Sequence, residues 1–214
     1  ASFGNEVTMN VTIKAACDNY DRIGNVNLAL VPKGMTTYIP DSVERIEIGR
    51  YITPFMNKNL TPNEVPYTYN VSNLGGIFKD QGLNNAYDFW IELEVFGVPY
   101  AANTQVAGCS GRNDVFYGSL DFVTSGTITP HTYLLPLSMK ANFNNYQTGA
   151  SDAVGTTKKT ISFEVDQTVN DATLYLITSN HGANSGGEEY IFLNWLRWAH
   201  HKKHTCHNSY NSDT

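Results

Sequence analysis

The chain has 214 residues and a formal net charge of -6, and only 16% of its side chains are charged. This balance argues against a nucleic-acid-binding protein, which would present a basic face. The sequence contains no run of about 18 apolar residues, so it predicts no membrane span. Aromatic residues make up 12% of the chain, and Asn, Thr, Gly and Tyr are abundant. The composition is typical of a β-rich protein outside the cytoplasm and suits contact with carbohydrate, although β-proteins favour Tyr and Thr in any case.

Alternation of apolar and polar residues predicts β-strands through the first 126 residues. These strands are predicted at residues 9–14, 25–31, 45–54, 67–71, 88–96 and 116–123. Turn residues separate them, and the long connection at residues 97–113 has a length that often indicates function. The sequence shows no helical period and no long repeat. Many short strands with turn signals predict an all-β protein built from β-sandwiches or jelly rolls.

A polar link at residues 125–130 separates two strand-rich parts of the chain. We therefore predict a first domain at residues 1–126 and a second domain at residues 127–214. In the second domain, strands are predicted at residues 132–137, 159–165 and 172–178. A glycine-rich polar loop follows at residues 179–187, and an irregular His-rich tail begins at about residue 195.

Polar chemistry is concentrated in residues 17–22, Cys-Asp-Asn-Tyr-Asp-Arg, between the first two predicted strands. A loop between regular elements is a frequent place for a functional site, because the scaffold positions the loop. Asp and Asn also favour ordinary turns, so a turn without a function is the alternative interpretation.

Carboxylates are the other candidate functional groups, and they occur in three close pairs: Asp18 and Asp21, Glu92 and Glu94, Glu188 and Glu189. Glu92 and Glu94 share one face of a predicted strand with Trp90 and Phe96, as the wall of a sugar site would, or as an ordinary solvent-facing surface would. Two carboxylates can hydrolyse a bond when one activates water and the other protonates or orients the leaving group. The residues alone therefore leave two functions open, a carboxylate hydrolase acting on a sugar-bearing substrate and a non-catalytic carbohydrate-binding sandwich.

The three cysteines, Cys17, Cys109 and Cys206, leave at least one without a partner in the chain. Cys17 and Cys109 either form a disulfide or remain as buried thiols.

The C-terminal tail combines Cys206 with four histidines, His200, His201, His204 and His207. Such a tract could bind zinc, but we interpret it as compositional and predict no metal site. Nucleophile-elbow and phosphate-loop motifs are absent from the sequence.

Two segments of the chain resemble the bacterial peptide-N-glycosidase F family. Residues 17–22 are similar to the family's Cys-Asp-x-Trp-Asp-Arg motif, and residues 47–55, Glu-Ile-Gly-Arg-Tyr-Ile-Thr-Pro-Phe, are similar to its Ile-Gly-Arg-Phe-Ile-Thr-Pro segment. Weaker similarity continues through residues 90–96 and 179–190. The family's enzymes hydrolyse the amide bond between asparagine and the first N-acetylglucosamine of N-linked glycans and convert the Asn to Asp. The resemblance implies this activity, without a cofactor, on N-glycosylated proteins or glycopeptides.

The resemblance also assigns roles to residues of this chain. It implies that Asp21, Glu94 and Glu189 are the catalytic carboxylates, with Glu188 as the neighbouring alternative to Glu189, and we expect Asp18 to be structural. The residues expected to bind substrate are Tyr20, Arg22, Phe96, His181 and Glu188. An aspartate held by an adjacent arginine stays ionised, as a base that activates water requires.

The family fold implied by the resemblance is two eight-stranded jelly rolls side by side, with the active site between them. The first would occupy residues 1–126, and the second, residues 127–214, is expected to be shortened because the family has further strands after the position of residue 190. We expect a secreted or periplasmic monomer, with no nucleic-acid partner. A copper monooxygenase on paired jelly rolls would require clustered His and Met ligands, which the sequence lacks outside its tail.

Overall fold

The computed structural model describes residues 6–102, 104–126, 137, 161–164 and 205–206. The chain divides into two compact units, Ala1–Pro136 and Leu137–Thr214. The predicted domain boundary after residue 126 and the strands predicted at residues 132–137 and 172–178 stay predictions, because these segments lie almost entirely outside the described residues.

In its described part, the first unit contains one strand for each strand predicted before residue 126, so the all-β prediction is confirmed there. The strands are β1 (Glu6–Ala15), β2 (Ile23–Pro32), β3 (Glu44–Ile52), β4 (Glu64–Asn70), β5 (Tyr87–Val95) and β6 (Phe116–Ser125). β4 begins three residues earlier than predicted, although Pro66 lies within it. Proline is tolerated there because β4 is an edge strand.

The six strands form two antiparallel sheets with the orders β4-β1-β6 and β3-β2-β5. Their facing sides share one core, because alternate residues of each strand are apolar. The buried residues of this core include Val7, Met9, Val11 and Ile13 from β1, Val26 and Leu28 from β2, and Ile48 and Tyr51 from β3. Two sheets that share a core in this way form a β-sandwich.

A β-bulge in β3 changes which of its residues face the core. Val26 of β2 pairs with Gly49, but the next residue, Asn27, pairs with Glu47, so Ile48 is an extra residue on β3. The core-facing side therefore shifts by one position after the bulge. Gly49 has no side chain at a point where a Cβ would lie 2.7 Å from the Met9 Cε of the other sheet. Any larger residue at this position would therefore require the end of the Met9 side chain to move.

Short helices, which the sequence did not predict, lie in two connections: one between β2 and β3, and three between β4 and β5. They are the 3₁₀-helices Pro40–Ser42 and Ser72–Leu74 and the α-helices α1 (Gly75–Lys79) and α2 (Gln81–Ala86). Each has fewer than two turns, which is too short for a visible helical period. Asp80 caps α2, since its Oδ1 accepts a hydrogen bond from the Leu83 backbone N–H at 2.9 Å. None of the helices in the described ranges is long and apolar enough to cross a membrane.

The second unit is described at few positions. Four of them form the two short strands β7 (Ile161–Ser162) and β8 (Thr205–Cys206), which pair antiparallel. β7 lies within the strand predicted at residues 159–165. β8 lies in the tail, for which no strand was predicted.

Candidate functional site

The loop that joins β1 to β2 contains residues 17–22 and is fixed to the long connection between β5 and β6. Cys17 and Cys109 form a disulfide with their Cα atoms 5.6 Å apart, so the bridge is the correct one of the two alternatives. The Cys17 backbone N–H donates to the Asp114 carbonyl at 3.0 Å, and that of Ala16 donates to the Val115 carbonyl at 3.1 Å. The loop is thus held at its first residues by covalent and hydrogen bonds.

Asp18 is fully buried and organises the loop. Its carboxylate accepts hydrogen bonds from Arg22 Nε at 2.7 Å and Nη2 at 3.2 Å. The backbone N–H groups of Tyr20 and Val98 donate to it at 3.0 Å and 2.7 Å. Arg22 was expected to hold its neighbour Asp21; the structure shows its guanidinium paired with Asp18, and its effect on Asp21 stays a prediction.

Thr53 connects the two sequence motifs that define the resemblance. It follows β3 and is fully buried. Its Oγ1 accepts a hydrogen bond from the Arg22 backbone N–H at 2.7 Å, and its own N–H donates to the Arg22 carbonyl at 2.8 Å. The segment at residues 47–55 therefore fixes the backbone directly after Asp21, which is itself half-buried.

An aromatic cluster surrounds the Arg22 guanidinium. The guanidinium carbon lies 5.1 Å from the Tyr20 ring centre and 5.3 Å from that of Phe96. Phe55 lies 5.8 Å from Tyr20, and Phe55 and Phe96 are 68% and 58% exposed. The structure thus brings together three of the residues predicted to bind substrate, and exposed apolar groups of this kind mark binding surfaces. Phe55 was not predicted, although its position after Thr-Pro at the end of a strand was a usable signal.

Glu94 belongs to a hydrogen-bonded cluster on the outer face of sheet β3-β2-β5. Its carboxylate accepts from Asn25 Nδ2 at 2.9 Å, Asn27 Nδ2 at 3.0 Å and Arg45 Nη1 at 3.2 Å. Its side chain is 36% exposed, whereas that of Glu92 is only 10% exposed. Glu92 is therefore not part of an ordinary solvent-facing strand surface.

Tyr38 closes the cluster over Glu92. Its hydroxyl donates to Glu92 Oε1 at 2.8 Å, and its ring packs against Trp90 with centres 5.3 Å apart. Burial, followed by the hydrogen bond to Glu92, raises the pKa of Tyr38 to about 12. The phenol therefore stays neutral and acts as a donor at neutral pH.

The strand register places Asp21 and Glu94 at the same end of this sheet. Asn25 of β2 pairs with Glu94 of β5, and the Phe96 N–H donates to the Ile23 carbonyl at 2.9 Å. Asp21 lies two residues before Ile23. The two predicted catalytic residues of the first unit therefore lie at the same end of the sheet as the aromatic cluster.

The remaining predicted site residues, His181, Glu188 and Glu189, lie outside the described residues, so their roles stay predictions. The same holds for the histidines of the tail. Within the described ranges, no group of three or more His, Cys, Asp or Glu side chains could hold a metal ion.

Fold and geometry define a β-sandwich protein with carboxylates and exposed aromatic rings at one end of a sheet. Comparison with known proteins then gives the family. A family model described as "Peptide-N-glycosidase F, N terminal" matches residues 2–110, more than half of the 214 residues. The chain belongs to the peptide-N-glycosidase F family, which confirms the resemblance seen in residues 17–22 and 47–55. No curated protein and no solved structure matches the chain.

Proposed function

We propose that this protein hydrolyses the amide bond between asparagine and the first N-acetylglucosamine of N-linked glycans. The observation that carries the proposal is that Asp21 and Glu94 lie at the same end of sheet β3-β2-β5 as the ring cluster around Arg22. Family membership supports it, since the matching family model is that of peptide-N-glycosidase F.

In the proposed reaction, Asp21 takes a proton from water, and the oxygen attacks the carbonyl carbon of the glycosylated asparagine side chain. The carbon–nitrogen bond breaks, the nitrogen gains a proton and leaves as a glycosylamine, and the asparagine becomes aspartate. The reaction needs no cofactor. Tyr20, Arg22 and Phe96, with Phe55 beside them, form the surface on which the sugar binds.

Glu94 has two candidate roles, as an acid and as a residue that orients the sugar. Asn25, Asn27 and Arg45 each donate a hydrogen bond to its carboxylate. Donors of this kind hold the carboxylate oxygens in a fixed orientation. We therefore assign Glu94 to orienting the sugar as a hydrogen-bond acceptor.

The wider family architecture is part of the same proposal. A first jelly roll would span residues 1–126 and a second would span residues 127–214, and Glu189, Glu188 and His181 are the proposed site residues of the second. The substrates would be N-glycosylated proteins or glycopeptides, met by a monomer in the periplasm or outside the cell. The disulfide between Cys17 and Cys109 supports this location, because disulfides persist in oxidising compartments.

The proposal is tested by glycan release from a denatured N-glycoprotein. The wild-type chain should release the glycan, and Asp21→Ala should abolish the release. Asp121→Ala is the matched control, because Asp121 lies exposed on β6 and should leave release unchanged. Full release by Asp21→Ala would reject the assignment of Asp21.

A carbohydrate-binding protein without turnover is the second candidate. The exposed rings of Phe55 and Phe96 favour it, because this surface can bind a sugar whether or not hydrolysis follows. It predicts that a glycopeptide binds the chain and is recovered with its Asn and glycan intact, and that Phe96→Ala weakens the binding.

A further inference from the structure

Asn27 is a completely buried polar side chain on the outer face of sheet β3-β2-β5. It lies on β2 between its register partners, Glu47 on β3 and Glu92 on β5. Its Nδ2 lies 3.0 Å from Oε2 of Glu92 and 3.0 Å from Oε2 of Glu94. One buried carboxamide therefore joins both carboxylates.

The orientation of this carboxamide follows from its partners. Ionised carboxylates only accept hydrogen bonds, so the NH₂ group of Asn27 must face Glu92 and Glu94. Its Oδ1 then accepts from Asn25 Nδ2 at 2.8 Å. Asn25 Nδ2 also donates to Glu94, so the two amides and the carboxylate form one connected network.

Two neighbouring carboxylates repel each other unless donors or cations lie between them. Arg45 supplies one guanidinium for both, with Nη1 at 3.2 Å from Glu94 and 3.5 Å from Glu92, and it also pairs with Asp41. Asn27 adds donors without adding charge. The charged and titratable groups around it are Arg45, Glu47 and Arg50 on β3, Glu92 and Glu94 on β5, and Tyr38 and Asp41 before β3.

We propose that Asn27 is a positioning residue for the hydrolysis: with Arg45, it holds the Glu94 carboxylate in the orientation that the sugar requires. The inference rests on the proposed function, since it explains how one of the proposed site residues is fixed. A displacement of a reacting or orienting group by about 1 Å can cost a rate factor of about 100.

Asn27→Asp is the informative variant, because it keeps the shape of the side chain and replaces the donor with a third carboxylate. When protonated, the introduced carboxyl group can still donate one hydrogen bond, whereas when ionised it repels Glu92 and Glu94. Both the neighbouring charges and burial favour its protonated form, so activity should be kept on the acid side and lost as the pH rises. We expect kcat to fall about 100-fold at alkaline pH and much less at acid pH, with little change in KM.

Asn10→Asp is the matched control, because Asn10 lies away from this cluster, in sheet β4-β1-β6. There it accepts a hydrogen bond from Thr68 on the neighbouring strand at 3.0 Å, and aspartate can accept it too. Its pH profile should follow the wild type. If Asn27→Asp folds, as judged by circular dichroism, and its kcat has the wild-type pH profile, the inference is wrong. If Asn27→Asp does not fold, Arg45→Met replaces it, and an unchanged kcat in that variant would equally overturn the inference. Absence of glycan release by the wild type itself would instead refute the proposed function, and with it the inference.

Discussion

Asp18 and Asp21 lie three residues apart in one loop, yet the structure gives them different environments. Asp18 is fully buried, whereas Asp21 is half-buried in the loop at the end of the sheet. The carboxylate of Asp18 accepts hydrogen bonds from Arg22 and from two backbone N–H groups. At the residue scale, Asp18 therefore belongs to the framework of the site, and Asp21 remains the proposed base.

Asp18→Ala should lower the free energy of unfolding by about 3 kcal/mol, because it leaves the Arg22 guanidinium without this partner in a mostly buried place. The backbone N–H groups of Tyr20 and Val98 would also lose their acceptor. Urea denaturation measures the change. Asp21→Ala is the control and should alter the free energy by no more than about 1 kcal/mol. Equal losses in the two variants would contradict the different roles assigned to these aspartates.

At the scale of elements, alternation predicted the strands of the first unit because each presents one apolar face to the shared core. The helices at residues 75–86 were not predictable in this way, because they are short and rich in glycine. The bulge at Ile48 is also invisible in the sequence, since Arg45-Ile-Glu-Ile-Gly reads as plain alternation. A bulge depends on how a strand pairs with its neighbour, and the alternation of residues along one strand carries no information about that pairing.

The candidate site was predictable to the extent that its motifs are local. Residues 17–22 and 47–55 identified the loop and its anchor, and the alternation of β5 put Glu92 and Glu94 on one face. The pairing of Arg22 with Asp18 and the role of Asn27 depend on three-dimensional contacts. Asn27 in particular is, in the sequence, only a polar position of an alternating strand, whereas in the fold it is fully buried and donates to Glu92 and Glu94.

The disulfide is an element-scale feature, because it joins the β1–β2 loop to the β5–β6 connection across 92 residues of sequence. Cross-linking residues so far apart restricts the unfolded chain strongly. Replacing Cys17 and Cys109 by Ala should therefore lower the free energy of unfolding by about 4 kcal/mol. Thermal unfolding with and without a reducing agent measures this. The reductant should destabilise the wild type and leave the double variant unchanged, and equal stability of the two proteins would contradict the prediction.

At the scale of the whole molecule, we expect three buried or half-buried tyrosines to lower the stability at alkaline pH. Burial raises the pKa of Tyr67 to about 12, and burial with the hydrogen bond to Glu92 raises that of Tyr38 to about 12. Burial also raises the pKa of Tyr51. The ordinary tyrosine pKa is about 10, so the unfolded chain ionises first as the pH rises.

The stability that these phenols contribute is therefore complete below about pH 10 and is lost between about pH 10 and 12. Urea denaturation on both sides of this range should show a falling free energy of unfolding, with tyrosinate absorbance appearing late in the folded protein. Tyr67→Phe removes one of the groups and should make the fall smaller. A free energy that stays constant across this range would contradict the prediction.

The central claim is hydrolysis of the linkage between asparagine and sugar, and mass spectrometry of a glycopeptide incubated in water labelled with heavy oxygen tests it most directly. We predict that the wild-type chain converts the linkage Asn to an Asp carrying one labelled oxygen and releases the glycan, and that Asp21→Ala converts none. Recovery of the intact glycopeptide after incubation with the wild-type chain would contradict the claim.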